Sequence, residues 1–376
     1  MSLKKNSDYV YAAMEEDLAE QMGRGTLRPG DCILSENELC RKYNISRVSV
    51  RRGIARLVEQ GLLQRAPGRG TFVADPHARE TVSKGTKTLT FIVPDIEDIF
   101  ISELHGGVEE ACAENGYEVI VQSCECRPEK ENQRLMNLKD QAVAGAIIFP
   151  NWGRFNTDAI FSLKQERVPF VLIDRYFRDI DTDYVVVDNL KGACDAVTHL
   201  VKLGHKKIAH LCGVPCSSDD ERDEGYKLAL AKAKICYDPD LVWRIAPDRT
   251  SGSARFEPDD VGGYVEVKRL LTSKMRPTAI FADNDYLAIG ALKALKESGV
   301  RVPKDMAVVG FDDLKISALL ETPLTTVRQP KREVGKKAAE ILIEKIRSGN
   351  SGLAGAFRHV VLKTELVVRK SCVAGG

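Results

Sequence analysis

Aromatic residues make up only 6 % of the 376 residues, with two Trp and six His, and 55 basic residues against 54 acidic ones leave a formal charge of just +1. Such a balance excludes a uniformly basic coat or an acidic tail, but not opposed charges held in separate segments. Long apolar runs are also missing. The stretch from Ala142 to Phe149, interrupted by Gly145, falls far short of the ~20 residues that cross a bilayer, so no membrane partner is expected. Lys4 and Lys5 are followed by Asp8, Glu15, Glu16 and Asp17 rather than by the apolar block of a signal peptide, and a soluble, cytoplasmic protein is expected. The ten Cys include no C-x-x-C pair, and the close pairs Cys124/Cys126 and Cys212/Cys216 have no well-spaced His pair beside them. Reduced core cysteines with no metal and no cofactor follow as the expectation. A P-loop, a G-x-G-x-x-G after a strand and a Ser/His/Asp spacing are absent too, which argues against an enzyme.

What is present is 43 % apolar content, ample for real cores, in a chain long enough for two or three folding units at ~150 residues each. Charge is concentrated in one place. Residues 1–40 carry four basic and eight acidic residues, whereas residues 41–70 carry eight basic residues against Glu59 alone, a local sum of +7. That is the electrostatic footprint of a small nucleic-acid-binding domain. Local patterning agrees. Val10, Met14, Leu18 and Met22 repeat at intervals of four and predict a helix closed by Gly23. Ser35 and Glu38 fit a capping box ahead of a short second helix. Beyond a turn at Asn44-Ile45, Ser46 is the expected N-cap of a third helix with Val50, Ile54, Leu57 and Val58 inward and Arg47, Arg51 and Arg52 outward. Helix, tight turn, helix with cations at the start of the second is what entry into a major groove requires. Leu62–Arg65 and Thr71–Val73 read as strands of a wing joined by Pro67-Gly68-Arg69-Gly70.

The blocks Leu34-Ser35-Glu36-Asn37-Glu38-Leu39, Ser46-Arg47-Val48-Ser49-Val50-Arg51 and Gly68-Arg69-Gly70-Thr71-Phe72-Val73 resemble the winged helix-turn-helix of the GntR family of bacterial regulators. The resemblance implies a DNA-binding domain over residues 1–76. Its expected DNA-facing residues are Ser35, Glu36, Ser46, Arg47, Val48, Ser49, Arg51, Arg69, Gly70 and Thr71, with Arg69 and Gly70 near the minor groove. Whether a given Arg reads a guanine edge or neutralises a phosphate is left open by the sequence.

A polar stretch over 77–88 reads as a linker. From residue 89 short β-rich runs alternate with helical patterns: strands are expected at Leu89–Val93, Glu118–Gln122, Ala146–Phe149, Phe170–Ile173, Val185–Val187, Ile208–Leu211, Ala279–Phe281 and Ala307–Val309. Such alternation predicts an α/β domain of parallel sheets flanked by helices, with ligands beyond the carboxyl ends of the strands, and the length asks for two lobes. Phe91-Ile92-Val93-Pro94-Asp95, Val187-Asp188-Asn189, Arg222-Asp223-Glu224-Gly225-Tyr226, Asn284-Asp285 and Val309-Gly310-Phe311-Asp312-Asp313 are similar to the effector domain of the LacI family. The likeness implies a periplasmic-binding-protein-like fold with lobe one at about 89–187 and 330–357, and lobe two at about 188–327 and 358–376.

That resemblance also implies an effector site with Arg222 and Asp285 as the clasp, joined by Phe100, Phe149, Asp174, Ser218 and Gln329. A guanidinium and a carboxylate suit the paired hydroxyls of a polyol. A GntR-type head before a LacI-type sensor is the domain order of the arabinose-repressor type of regulator. The expected partners are double-stranded operator DNA, a second copy in a homodimer, and a sugar such as L-arabinose that releases the repressor. The alternative is a corepressor, a purine or sugar phosphate, that tightens DNA binding.

Overall fold

The computed structural model describes residues 12–59, 62–66, 70–74, 86–153, 156–245, 259–349 and 357–372. The chain divides into two units, Met1–Thr86 and Lys87–Gly376. The first holds helices α1 (Ala12–Gly23), α2 (Glu36–Tyr43) and α3 (Arg47–Glu59), followed by the antiparallel pair β1 (Leu63–Ala66) and β2 (Gly70–Val73) in the register Leu63↔Val73 to Ala66↔Gly70. The capping box ahead of α2 forms as expected: the Ser35 amide donates to Glu38 Oε2 at 2.8 Å and the Glu38 amide to Ser35 Oγ at 3.4 Å. Asn44, left-handed at φ 51°, ends α2, and Ser46 Oγ then accepts the Ser49 amide at 3.1 Å to start α3. Met14, Leu18, Leu39, Val50, Ile54, Leu57, Leu63 and Val73 form one core. Val10 lies outside the described residues.

The second unit is built on two six-stranded sheets. The first has β3 (Thr88–Val93), β4 (Glu118–Ser123), β5 (Gly145–Ile148), β6 (Phe170–Ile173) and β7 (Tyr184–Val187), in the order 7-6-5-3-4, all parallel. Helices α4 (Ile99–Asn115), α5 (Pro128–Asn137) and α6 (Thr157–Gln165) connect them. After α7 (Asn189–Lys202) the chain builds the second sheet from β8 (Ile208–Cys212), β9 (Val242–Arg244), β10 (Ala279–Ala282), β11 (Ala307–Asp312) and β12 (Thr325–Arg328). Its helices are α8 (Ser217–Lys232), α9 (Asp259–Thr272) and α10 (Asp285–Glu297). The chain then returns through α11 (Lys331–Arg347) and ends in β13 (His359–Leu362) and β14 (Glu365–Val367).

The expectation that residues 358–376 belong to lobe two does not hold: β13 pairs in parallel with β7 in the first sheet, His359↔Tyr184 to Leu362↔Val187, and only β14 joins the second, antiparallel to β12. The chain therefore crosses between lobes after β7, after β12 and between β13 and β14. Helices α4 and α11 pack on each other at glycine contacts. A Cβ on Gly107 would stand 1.9 Å from the Arg332 carbonyl oxygen, and one on Gly335 2.0 Å from that of Leu104, so the backbones meet where no side chain fits. Among the described residues no helix is long and apolar enough to cross a membrane.

Candidate functional site

Two surfaces concentrate the chemistry. On α3, Arg47, Val48, Arg51 and Arg52 are exposed, and Val48 is an apolar side chain left 65 % exposed among these cations. Glu36, from α2, draws in two of the cations: Arg51 Nε lies 2.9 Å and Arg47 Nε 3.8 Å from Glu36 Oε2. Both contacts engage Nε, so each guanidinium can still present its NH2 ends outward. Ser46 and Ser49 hydroxyls meet at 3.0 Å, Ser35 is exposed, and Thr71 is half-buried next to Gly70, whose φ of 121° suits only glycine. Arg69 lies outside the described residues. Arg56 faces Glu15 on α1 at 3.7 Å.

The second surface is the cleft to which both sheets of the large unit turn their carboxyl ends. Phe149 follows β5, Asp174 follows β6, Asn189 opens α7 after β7, Ser218 follows β8, Asp283 follows β10, Asp312 ends β11 and Gln329 follows β12. The residues are scattered in sequence because each hangs from a different strand end. Two adopt backbone conformations that L-residues seldom take, Asp174 at φ 63° and Asp312 at φ 119°. Strain of order 1–3 kcal/mol per residue at such points persists where it places a side chain for use.

Arg222, 5 % exposed on α8, occupies the centre. Its Nε donates to Asn189 Oδ1 at 2.9 Å and its Nη1 to the Asp283 carbonyl at 2.6 Å, and the guanidinium lies 4.0 Å from the Phe311 ring centroid. Among the described residues Nη2 has no hydrogen-bond partner. Four buried carboxyls surround it: Asp174, Asp219, Asp283 and Asp312. Burial pushes Asp312 well above the usual carboxylate range even though Arg222 pulls it down. Asp219 is pushed up to about 8 by burial and by the Asp283 charge. Burial acts on Asp283 in the same direction, but His210 and Arg222 outweigh it and hold this carboxyl low. Gln329 Nε2 donates to Asp312 Oδ1 at 2.6 Å, and Lys331 Nζ donates to the Asp312 carbonyl at 2.6 Å.

On the lobe-one side Phe100 and Phe149 meet edge to face at 6.1 Å. Lys331 Nζ lies 5.8 Å from the Phe100 centroid and the Arg175 guanidinium 4.9 Å from that of Phe149. Besides the Lys331 contact, hydrogen bonds that join the lobes around the cleft include the Tyr176 amide to Ser217 Oγ (2.9 Å), Tyr176 Oη to Glu221 Oε1 (2.7 Å), the Gly153 amide to the Pro215 carbonyl (3.2 Å), and Tyr286 Oη to Asp98 Oδ1 (3.1 Å). At the mouth, a cavity of about 340 Å³ is lined by Asn151, Arg175, Tyr176, Val214 and Ser217.

Asp285 departs from expectation. Fully buried, it spends both oxygens on its own lobe: Oδ2 accepts the Leu314 amide (2.8 Å) and Ser317 Oγ (2.6 Å), while Oδ1 accepts Thr326 Oγ1 (2.5 Å). Three of this carboxylate's roughly four acceptor sites are thus taken up within its own lobe. It pins the loop after β11, and Gly310 makes room for it, since a Cβ there would come within 2.4 Å of Asp285 Oδ1. The carboxylate opposite Arg222 is Asp312. Ser218 is buried, 3.2 Å from Cys216 Sγ, and Cys216 in turn contacts Asp219 at 2.6 Å, so it reaches the cluster from the wall. Sequence reading missed Asn189, Asp219, Asp283, Asp312, Arg175 and Lys331 as site residues. The available signal was position: each of Asp283 and Asp312 sits at the carboxyl end of a β-rich run.

Residues 10–73 match the gntR family of bacterial regulatory proteins and residues 197–372 match the periplasmic binding protein-like domain. A ribose operon repressor from Haemophilus influenzae is 32 % identical over 78 % of this chain and 83 % of its own length. A LacI family transcriptional regulator from Enterococcus faecium, solved with bound ribose, superposes with a TM-score of 0.65 at 28 % identity, covering 77 % of this chain and all of that one. The chain belongs to the LacI family of bacterial transcriptional regulators and carries a GntR-type head. An arabinose metabolism transcriptional repressor from Geobacillus stearothermophilus shares this arrangement from end to end, 28 % identical over 98 % of this chain and 99 % of its own. A LacI-family regulator is a DNA-binding protein rather than an enzyme.

Proposed function

We propose that this regulator is a cytoplasmic homodimeric repressor of carbohydrate-utilisation genes, released from double-stranded operator DNA by a sugar bound around Arg222 and Asp312. The observation that carries this reading is the make-up of the cleft. Four buried carboxyls outnumber the cations Arg222, Arg175 and Lys331, and Lys331 is already engaged with the Asp312 and Asp313 carbonyls. Sugar hydroxyls donate to carboxyl oxygens and accept from a guanidinium, so a cleft of this make-up offers a polyol both kinds of partner. The Phe100–Phe149 pair adds an apolar wall for a ring's C–H face. L-arabinose is the proposed effector because relatives aligned over nearly the whole chain are arabinose metabolism repressors.

The head supplies the readout. Arg47, Val48, Ser49 and Arg51 lie on the face of α3 offered to a major groove, and Gly70 and Thr71 open the second strand of the wing. Sugar shifts the operator equilibrium only by its differential affinity for the DNA-competent and released conformations. Mobility-shift titration with L-arabinose, D-ribose and other aldoses tests the reading directly. Operator affinity should fall as sugar is added. A sugar that raises the melting temperature yet leaves operator affinity unchanged would defeat the proposal, and one that tightens operator binding would establish the corepressor alternative instead.

A further inference from the structure

Behind the cleft wall lies a cluster that the sugar site does not use. His210 and Cys212 are two residues apart on β8 and so point to the same side of the sheet, where Asp223 reaches them from α8; one ligand atom from each lies within 4.8 Å of the others. His210 is fully buried, its ring packed near Tyr226 (4.7 Å between centroids) and Phe281 (5.2 Å). Its Nε2 is 2.7 Å from Asp283 Oδ1, which fixes the ring, while Nδ1 faces Asp223 Oδ1 at 3.3 Å, within ion-pair reach but without hydrogen-bond alignment, so neither of these two buried atoms has a well-formed hydrogen bond. Buried polar atoms without a partner are uncommon and ask for a reason.

We propose that His210, Cys212 and Asp223 form a binding site for a thiophilic divalent cation of the zinc class. The donor set is one such an ion selects: an imidazole nitrogen, a thiolate and a carboxylate, with a fourth position left for water. Tetrahedral bonds of about 2.0 Å to nitrogen and oxygen and about 2.3 Å to sulfur place ligand atoms roughly 3.3–3.5 Å apart, so the cluster must contract by up to about 1.5 Å. The contact from Asp283 to Nε2 is the carboxylate–histidine arrangement that orients a metal-bound imidazole. Charge also closes: thiolate and carboxylate neutralise the dication. Lys227 occupies the other oxygen of Asp223, Oδ2, at 2.6 Å, and Arg244 donates to the Gly213 carbonyl at 3.3 Å, so both nearby cations already have partners outside the donor atoms. Binding expels the Cys212 thiol proton and any proton on His210 Nδ1 to water. The sequence concealed the site because Cys212 pairs with His210 on its own strand and not with Cys216.

The location matters because Asp283 serves both sites: its carboxylate holds His210 and its carbonyl accepts Arg222 Nη1. An ion would stiffen the wall that positions Arg222 and alter sugar affinity, a consequence that rests on the function proposed above. The binding step does not. Titration of chelator-treated full-length protein with Co2+ should show one ion per chain and a thiolate-to-cobalt charge-transfer band, displaced by Zn2+. Cys212→Ser should abolish that band and Asp223→Asn should weaken binding at least about tenfold, while Cys236→Ser, at an exposed thiol, should leave it intact. If Cys212→Ser fails to fold, the half-buried Asp223→Asn variant decides. Absence of the band, or its survival in both ligand variants, overturns the site whatever the sugar and DNA experiments return. Identical sugar affinity with and without Zn2+ overturns the coupling alone.

Discussion

Asp285 and Asp312 separate two jobs that their neighbouring motifs make look alike. Asp285 accepts three hydrogen bonds that tie the loop after β11 to its own lobe, and burial still pushes its carboxyl up to about 6. Asp312 faces Arg222 and takes one side-chain hydrogen bond, from Gln329. Asp285→Asn should therefore cost about 2–3 kcal/mol of stability in denaturant melts, since an amide cannot accept on both arms. Asp312→Asn should leave stability nearly unchanged and weaken sugar binding at least about tenfold by calorimetry, the loss of one charge-assisted contact. The reverse ranking would restore Asp285 as the clasp. The motifs containing both residues were legible in the sequence. Which carboxylate turns inward was not, because it depends on the φ of 119° that Asp312 adopts at its strand end and on the cavity Gly310 leaves for Asp285.

At the scale of elements, the head was legible almost residue by residue, because caps and turns act locally: the Ser35 box, Asn44 and Ser46 lie where their chemistry demands. Its α3 should behave accordingly. Arg47→Ala or Arg51→Ala should weaken operator binding by about 1–3 kcal/mol if the side chain reads a base, or lower the salt slope by about 1 if it holds a phosphate, as salt-dependent mobility shifts will tell. Between α1 and α2, hydrogen bonds from Tyr43, Gln21 and Lys42 hold the Asp17 carboxyl down to about 2 from its ordinary 3.8. A depressed carboxyl stabilises the fold above pH 3.8, and that contribution is lost as pH falls toward 2. Acid unfolding of α1 and α2, followed by amide NMR, should thus begin at higher pH in Asp17→Asn. The large unit was less legible in two places. The start of helix α8 at Ser217 carries no apolar signal, because its first turns bury Ser217, Ser218, Asp219 and Arg222 and apolar residues enter the buried face only from Tyr226 on. Strand β9, of three residues, is too short for alternation to register.

For the whole molecule, the near-zero charge resolves into a basic α3 face and a sensor whose buried acids outnumber their cations. The fold class and two-lobed plan follow from β/α alternation, which every short apolar run reinforces. The placement of β13 beside β7 does not, since a terminal strand's sheet is set by long-range pairing rather than by its own pattern. The glycine contacts of α4 and α11 have one more consequence. Phe100 stands in the first turn of α4 and Lys331 begins α11, so both helices start at the sugar cleft, and each runs 17 residues, about 25 Å, away from it. With their backbones locked at Gly107 and Gly335, neither helix slides without the other. The pair acts as one stiff pushrod, carrying a displacement at the cleft to the far end of lobe one with little loss along the way.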